Sequence, residues 1–191
     1  MALRNAVLAA LLDGEASGYE LSKAFASSVA NFWTVTPQQL YRELEKLEGE
    51  GLIAGRVVEQ VRRPNKRVFS LTQTGREALA AFTALPPRPG AVRDELLVKV
   101  QAVDVGDVDA VRAAIGERMK QSHLKLAEYR RIREKLLAGR DEAEYLRTAR
   151  RIGPYLTLLR GLSYEEENLR WGERALELLE ARASATEPDK G

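Results

Sequence analysis

The sequence predicts a mainly α-helical protein built in two parts, with a single β-hairpin in the first. Three observations carry this. Ala, Leu, Glu and Arg dominate a composition in which only 6% of residues are aromatic, and these residues are good helix formers. The hydrophobic period is helical along most of the chain and becomes strand-like only over 52–71. Between the two parts, 84-ALPPRPGA-91 gathers three prolines and a glycine into eight residues, a composition that ends helices and joins domains.

Leu3, Val7, Leu8, Leu11 and Leu12 recur at helical spacing, and Gly14 is placed to stop that helix. A second helix opens at Ser17, an N-cap with Glu20 three residues on, which makes a capping box. Its apolar stripe is Leu21, Phe25 and Val29, so Tyr19 and Lys23 fall on the opposite side. The third helix is the best marked. Thr36 is its N-cap, Pro37 its first residue, Gln39 the partner in a second capping box, and Leu40, Leu44 and Leu47 its buried stripe, with Gly49 or Gly51 as the stop.

Residues 52–61 and 67–71 are short β-branched and aromatic runs joined by 62-RRPNK-66, whose Pro-Asn pair marks a hairpin turn. Thr74 with Glu77 predicts a third capping box and a helix through about Phe82. Beyond the linker the pattern gives helices over about 94–103, 108–138 with a stop at Gly139, and 142–182 with a kink or break at Gly153-Pro154. The expected division is therefore 1–83, a linker at 84–93, a helical domain at 94–182 and a disordered tail at 183–191.

Composition removes several functions. The net charge is only +2, so a basic binding face must be a local patch. With no cysteine and one histidine, His123, there is little to build a metal site, a cofactor site or a catalytic triad. The reading is of a non-enzyme without metal or cofactor, and His123 is assigned no role. The apolar run Ala6 to Leu12 is too short to span a bilayer and lacks the flanks of a signal peptide, so the chain reads as cytoplasmic and without a membrane partner.

The order helix, helix, helix, hairpin, helix suits a helix-turn-helix that presents the start of its third helix (36–50) to the DNA major groove. Gln38, Gln39 and Arg42 face away from the leucine stripe there, with Tyr41 on the flank and Thr36 at the cap. Gln pairs with adenine, Arg with guanine, and Tyr donates to phosphate. The acids Glu43, Glu45, Glu48 and Glu50 lie toward the other end. The hairpin tip, with Arg62, Arg63, Asn65, Lys66 and Arg67, supplies phosphate-binding charge. The reading is thus a winged helix-turn-helix, three helices plus a β-hairpin, that binds double-stranded DNA. The competing reading is a protein-interaction adaptor that uses the same domain without DNA.

These residues resemble the PadR-type transcriptional regulators. The likeness lies in 18-GYEL-21, 32-FW-33, 40-LY-41, 44-LEKLEGEGLI-53, 64-PNKRVFSLTQTG-75 and 76-REAL-79, and continues in 158-LLRGLSYEEENLRW-171. The last segment is similar to the final helix of the larger subgroup. The resemblance implies a homodimer held by an all-α C-terminal dimerisation domain, usually a repressor, released in some members by small aromatic molecules. It places Tyr41 in the recognition helix, Lys66 and Arg67 in the wing and Tyr19 near the DNA backbone. Ser17, Gln38, Gln39, Val68 and Phe69 depart from the family's usual residues, which leaves the operator sequence open.

Tyr155, Leu162, Leu169 and Leu176 repeat every seven residues on the last helix. The second row of a coiled-coil seam is incomplete, so this row can pack on the 108–138 helix of the same chain or on a second copy, and the dimer is preferred. Trp33 and Trp171 fill junctions by default. The sharper alternative is that both line an effector pocket between the two domains.

Overall fold

The computed structural model describes residues 2–25, 35–59, 65–87 and 93–186, and the chain divides into two compact units, Met1–Pro89 and Gly90–Gly191. In the first unit, α1 (Ala2–Ala10) tightens into a 3-10 turn, Leu11–Asp13, and stops at Gly14, whose φ of 136° is open to glycine alone. Then come β1 (Ala16–Ser17), α2 (Gly18–Ala24), α3 (Pro37–Gly49), β2 (Ile53–Val58), β3 (Lys66–Leu71) and α4 (Gln73–Thr83). The winged helix-turn-helix order is present. Val29 and Trp33 lie outside the described residues.

The hairpin pairs antiparallel from Ile53↔Leu71 to Val58↔Lys66, and β1 adds to the other side of β3 through Ala16↔Phe69 and Ser17↔Val68. A two-residue strand carries no readable period; it forms because β3 would otherwise leave its backbone groups unpaired. One core binds these layers. Leu21 of α2, Phe25 at its C-cap, Leu40, Leu44 and Leu47 of α3, Phe69 and Leu71 of β3 and Leu79 of α4 meet there with Val7, Leu8 and Leu11. Burying each such side chain contributes about 1.5–3 kcal/mol.

The expected capping box at Thr74 is corrected. The N-cap of α4 is Thr72: its hydroxyl accepts from the Gly75 N–H at 3.0 Å and donates to the Leu52 carbonyl at 2.9 Å. Thr72 wins because it caps the helix and also ties it to Leu52 at the entry of β2. Gly75 must be small there, since a Cβ would run into the Leu52 carbonyl and come to 2.8 Å from Leu71 Cδ1.

The second unit is all helical: α5 (Glu95–Gln101), α6 (Val108–Leu137), α7 (Glu142–Thr148) and α8 (Gly153–Thr186). Asp94, Asp107 and Asp141 cap α5, α6 and α7 through their carboxylates. Helix α6 ends on Ala138 and Gly139, both left-handed at φ 50° and 82°. Gly153-Pro154 does not kink a helix, as expected, but opens one; the break falls at 149–152. Proline belongs in a first turn because its missing N–H has no partner to lose there. Helix α8 also continues to Thr186, past the expected limit at 182.

Helices α6 and α8 run antiparallel, joined by Arg112–Glu180 at 3.4 Å, Ser122–Glu165 at 2.7 Å and Arg133–Tyr155 at 3.2 Å. The dimer-seam assignment of Tyr155, Leu162, Leu169 and Leu176 is corrected in part by this packing. Tyr155 and Leu162 are already buried within the chain, and Leu169 and Leu176 pack on clusters that include α6 residues. Ile115, Leu126 and Tyr129 of α6 supply the matching apolar face. Gly75→Ala is expected to destabilise the protein by about 1–3 kcal/mol through overpacking, read from urea unfolding; wild-type stability would show that α4 does not close on Leu52.

Candidate nucleic-acid interface

The leucine stripe fixes which side of α3 faces out. Thr36, Gln38, Gln39, Tyr41 and Arg42 are all exposed, as are Tyr19 and Lys23 of α2. Their commitments differ. Thr36 Oγ1 accepts from the Gln39 N–H at 3.2 Å, and Gln39 Oε1 accepts from the Thr36 N–H at 3.0 Å. The side-chain carbonyl of Gln39 is therefore engaged in the cap, while Gln38 and Arg42 have side chains directed into solvent along the same turn. Tyr41 lies against the first turn of α2, where Gly18 has no side chain to obstruct it.

The hairpin brings its charges to two different places, because successive strand residues face opposite sides. Lys66 Nζ meets Glu20 Oε1 of α2 at 3.3 Å. Arg67 turns instead to the far end of α3, where both Glu48 oxygens accept from it at 2.7 Å and its guanidinium lies 5.6 Å from the Phe69 ring. Glu48 Oε1 also accepts from the Gly55 N–H at 3.1 Å. The sequence reading missed a third pair: Arg56 Nε donates to Glu15 Oε1 at 3.1 Å. Its signal is faint, an arginine and a glutamate forty-one residues apart. Arg62 and Arg63 lie outside the described residues, and Asn65 is exposed. Tyr41, the start of α2 with Tyr19, and Lys66 are thus brought together, whereas Arg67 is held elsewhere on the unit.

Glu20 is the electrostatic centre of the group. Its carboxylate accepts from the Ser17 N–H and hydroxyl, each at 2.7 Å, and these bonds, with Lys66 adding to them, hold its pKa down at about 2. Arg56 lowers the pKa of Glu15 in the same sense, chiefly by hydrogen bonding.

In the second unit Trp171 lines a cavity of about 390 Å³ with Val100, Val103, Ile115, Leu178 and Leu179. Arg174 and Arg182 also line it, paired with Glu177 at 3.0 Å and Asp104 at 2.6 Å. The proposed companion Trp33 lies outside the described residues. His123 is exposed on α6, and among the described residues no cluster of three His, Cys, Asp or Glu side chains is placed to hold a metal ion.

The family model described as the transcriptional regulator PadR-like family matches residues 7–81, and one described as the virulence activator alpha C-terminus matches residues 92–180. The chain is 31% identical to the probable transcriptional regulator Rv1176c of Mycobacterium tuberculosis, over 95% of this chain and 100% of that protein. It is 27% identical to the negative transcriptional regulator PadR of Bacillus subtilis, over 93% of this chain and 97% of that one. The crystal structure of Bacillus subtilis PadR with operator DNA superposes with a TM-score of 0.76 at 27% identity, covering 94% of this chain and 99% of that one. Its complex with p-coumaric acid superposes at 0.70 with 26% identity and the same coverage. The virulence activator AphA of Vibrio cholerae gives 0.66 at 30% identity, again over 94% and 99%.

Because the Ser17 backbone N–H is the largest cause of the low Glu20 pKa, NMR titration of Lys66→Met and of Ser17→Ala, both of which keep that N–H, should each raise the Glu20 midpoint from about 2 yet leave it below 4.5. The folded pKa is depressed, so the stabilisation linked to Glu20 is complete above 4.5 and fades as pH falls toward about 2. A midpoint near 4.5 in the wild type would refute the capping geometry.

Proposed function

The chain belongs to the PadR-like family of transcriptional regulators, and from that premise we propose that it is a cytoplasmic repressor that binds a palindromic operator as a homodimer. The family consists of regulators, not enzymes, and no helix among the described residues is long and apolar enough to cross a membrane. In this reading α3 enters the major groove and Gln38, Tyr41 and Arg42 meet base edges, with Gln39 contributing the amide nitrogen left over from the cap. Arg62, Arg63, Asn65, Lys66 and Arg67 bind phosphates, and Thr36, Tyr19 and Lys23 fix the register on the backbone. The observation that carries it is the gathering of Tyr41, the start of α2 and Lys66 into one neighbourhood. Half-sites about 34 Å apart would then be read by two copies.

The direction of regulation follows the Bacillus subtilis relative, which is named a negative regulator; the Vibrio cholerae relative is named an activator. A small aromatic effector is supported by the p-coumaric acid complex of the former and by the cavity beside Trp171. The adaptor alternative draws on one observation, that Arg56, Lys66 and Arg67 already face carboxylates. Exposed pairs of this kind are worth about 0–1 kcal/mol, little against a phosphate array, so the pairs exchange partners on DNA.

If four wing cations per protomer meet phosphate, a dimer should show a slope of log K against log salt of roughly −7, measured by fluorescence anisotropy on a duplex enriched from a random pool. Alanine at Arg62, Arg63, Lys66 and Arg67 together should flatten it strongly. A flat slope in the wild type favours the adaptor. With Trp33→Phe leaving Trp171 as the sole tryptophan, p-coumaric acid should quench emission and weaken DNA binding over one concentration range; quenching with unchanged DNA affinity removes the effector.

A further inference from the structure

Gly18 is the first residue of α2 and is buried, yet nothing in its backbone calls for glycine. Its φ is not positive; among the described residues only Gly14, Gly51 and Gly139 are glycines of that kind. Glycine in a helix also loses more conformational freedom on folding than alanine does. The reason lies across the interface with α3. A Cβ at position 18 would collide with Tyr41 Cε1 and come to 2.9 Å from Cζ and 3.0 Å from the hydroxyl oxygen. The phenol ring rests on the bare backbone of α2.

This seat is built into the capping machinery. Ser17, immediately before Gly18, accepts from the Glu20 N–H at 3.3 Å, and Glu20 in turn receives both Ser17 donors and Lys66. The ring is therefore placed against a turn whose geometry is locked from both ends. Tyr41 still exposes 47% of its surface, so one edge is seated and the remainder faces out. An exposed tyrosine on a helix ordinarily samples more than one side-chain rotamer.

We propose that Gly18 is a positioning residue for DNA recognition: its missing side chain seats the Tyr41 ring on α2 and pre-orders the phenol toward the operator. The proposal rests on the DNA-binding reading and adds to it a residue that touches no base. Alanine at 18 would not disrupt the core, because the obstructed group is the outer part of an exposed side chain that can swing away. What it removes is the pre-ordered direction. Ordering one rotamer-rich side chain on binding costs a factor of roughly two to ten in affinity, and that is the expected loss.

The experiment is a double-mutant cycle with the full-length protein on a duplex enriched from a random pool and on a scrambled duplex of the same length. Gly18→Ala should keep a wild-type thermal transition, lose roughly two- to tenfold on the enriched duplex, and change little on the scrambled one. The double variant Gly18→Ala/Tyr41→Ala should bind no more weakly than Tyr41→Ala alone. Wild-type affinity in Gly18→Ala, or losses that multiply independently, overturns the proposal. Should Gly18→Ala melt early, the wild type still decides: nuclear Overhauser contacts between the Tyr41 ring and Gly18 Hα must be present in the free protein and persist on DNA, and their absence in either state overturns it. If the wild type enriches no duplex, the repressor reading falls together with the inference; if it does and Gly18→Ala matches it, only the inference falls.

Discussion

Leu40, Leu44 and Leu47 lie on one face of α3 and are almost inaccessible to water. Turning the helix about its axis would expose them at a cost of about 1.5–3 kcal/mol each, more than single-residue contacts elsewhere on the unit could return. The opposite face is thereby fixed outward, with Gln38 and Arg42 on it and Tyr41 on its flank. The Thr36–Gln39 cap decides where the helix begins, and so which residues occupy the turn that would meet a groove. Rotation and starting point together define the whole presentation of the helix.

Around that helix, among the described residues, the unit pairs three strand cations with its own carboxylates. Glu15, Glu20 and Glu48 come from three different segments, and each holds one strand cation. These pairs are half exposed, so they hold geometry more than they hold free energy. Glu48 shows the difference: by accepting from both Arg67 and the Gly55 N–H it anchors the end of α3 to the hairpin.

Much of this was legible in the sequence, and for identifiable reasons. Ser17 with Glu20 and Thr36 with Gln39 form the expected boxes because both partners lie three residues apart and need no tertiary context. The stripe on α3 was readable because its period is local. What could not be read depends on distant partners. Thr72 outcompetes Thr74 only because the Leu52 carbonyl is within reach; β1 exists only because β3 offers an edge; and the sevenfold row on α8 faces α6 because Ile115, Leu126 and Tyr129 happen to match it. In the candidate site, exposure on α2 and α3 was legible, whereas the pairing of Lys66 with Glu20 and the resting place of Tyr41 on Gly18 were not. Charge counting sees a cation but not the carboxylate folded beside it.

The proposed repressor stands or falls on base reading by the outward face of α3. Sequencing the duplexes enriched from a random pool by the wild type and by Gln38→Ala tests it most directly. The expected result is an inverted repeat with half-sites about one helical turn apart, and loss of preference at one symmetric pair of positions in Gln38→Ala with the rest of the motif intact. Identical motifs from the two proteins, or no motif from the wild type, would contradict it.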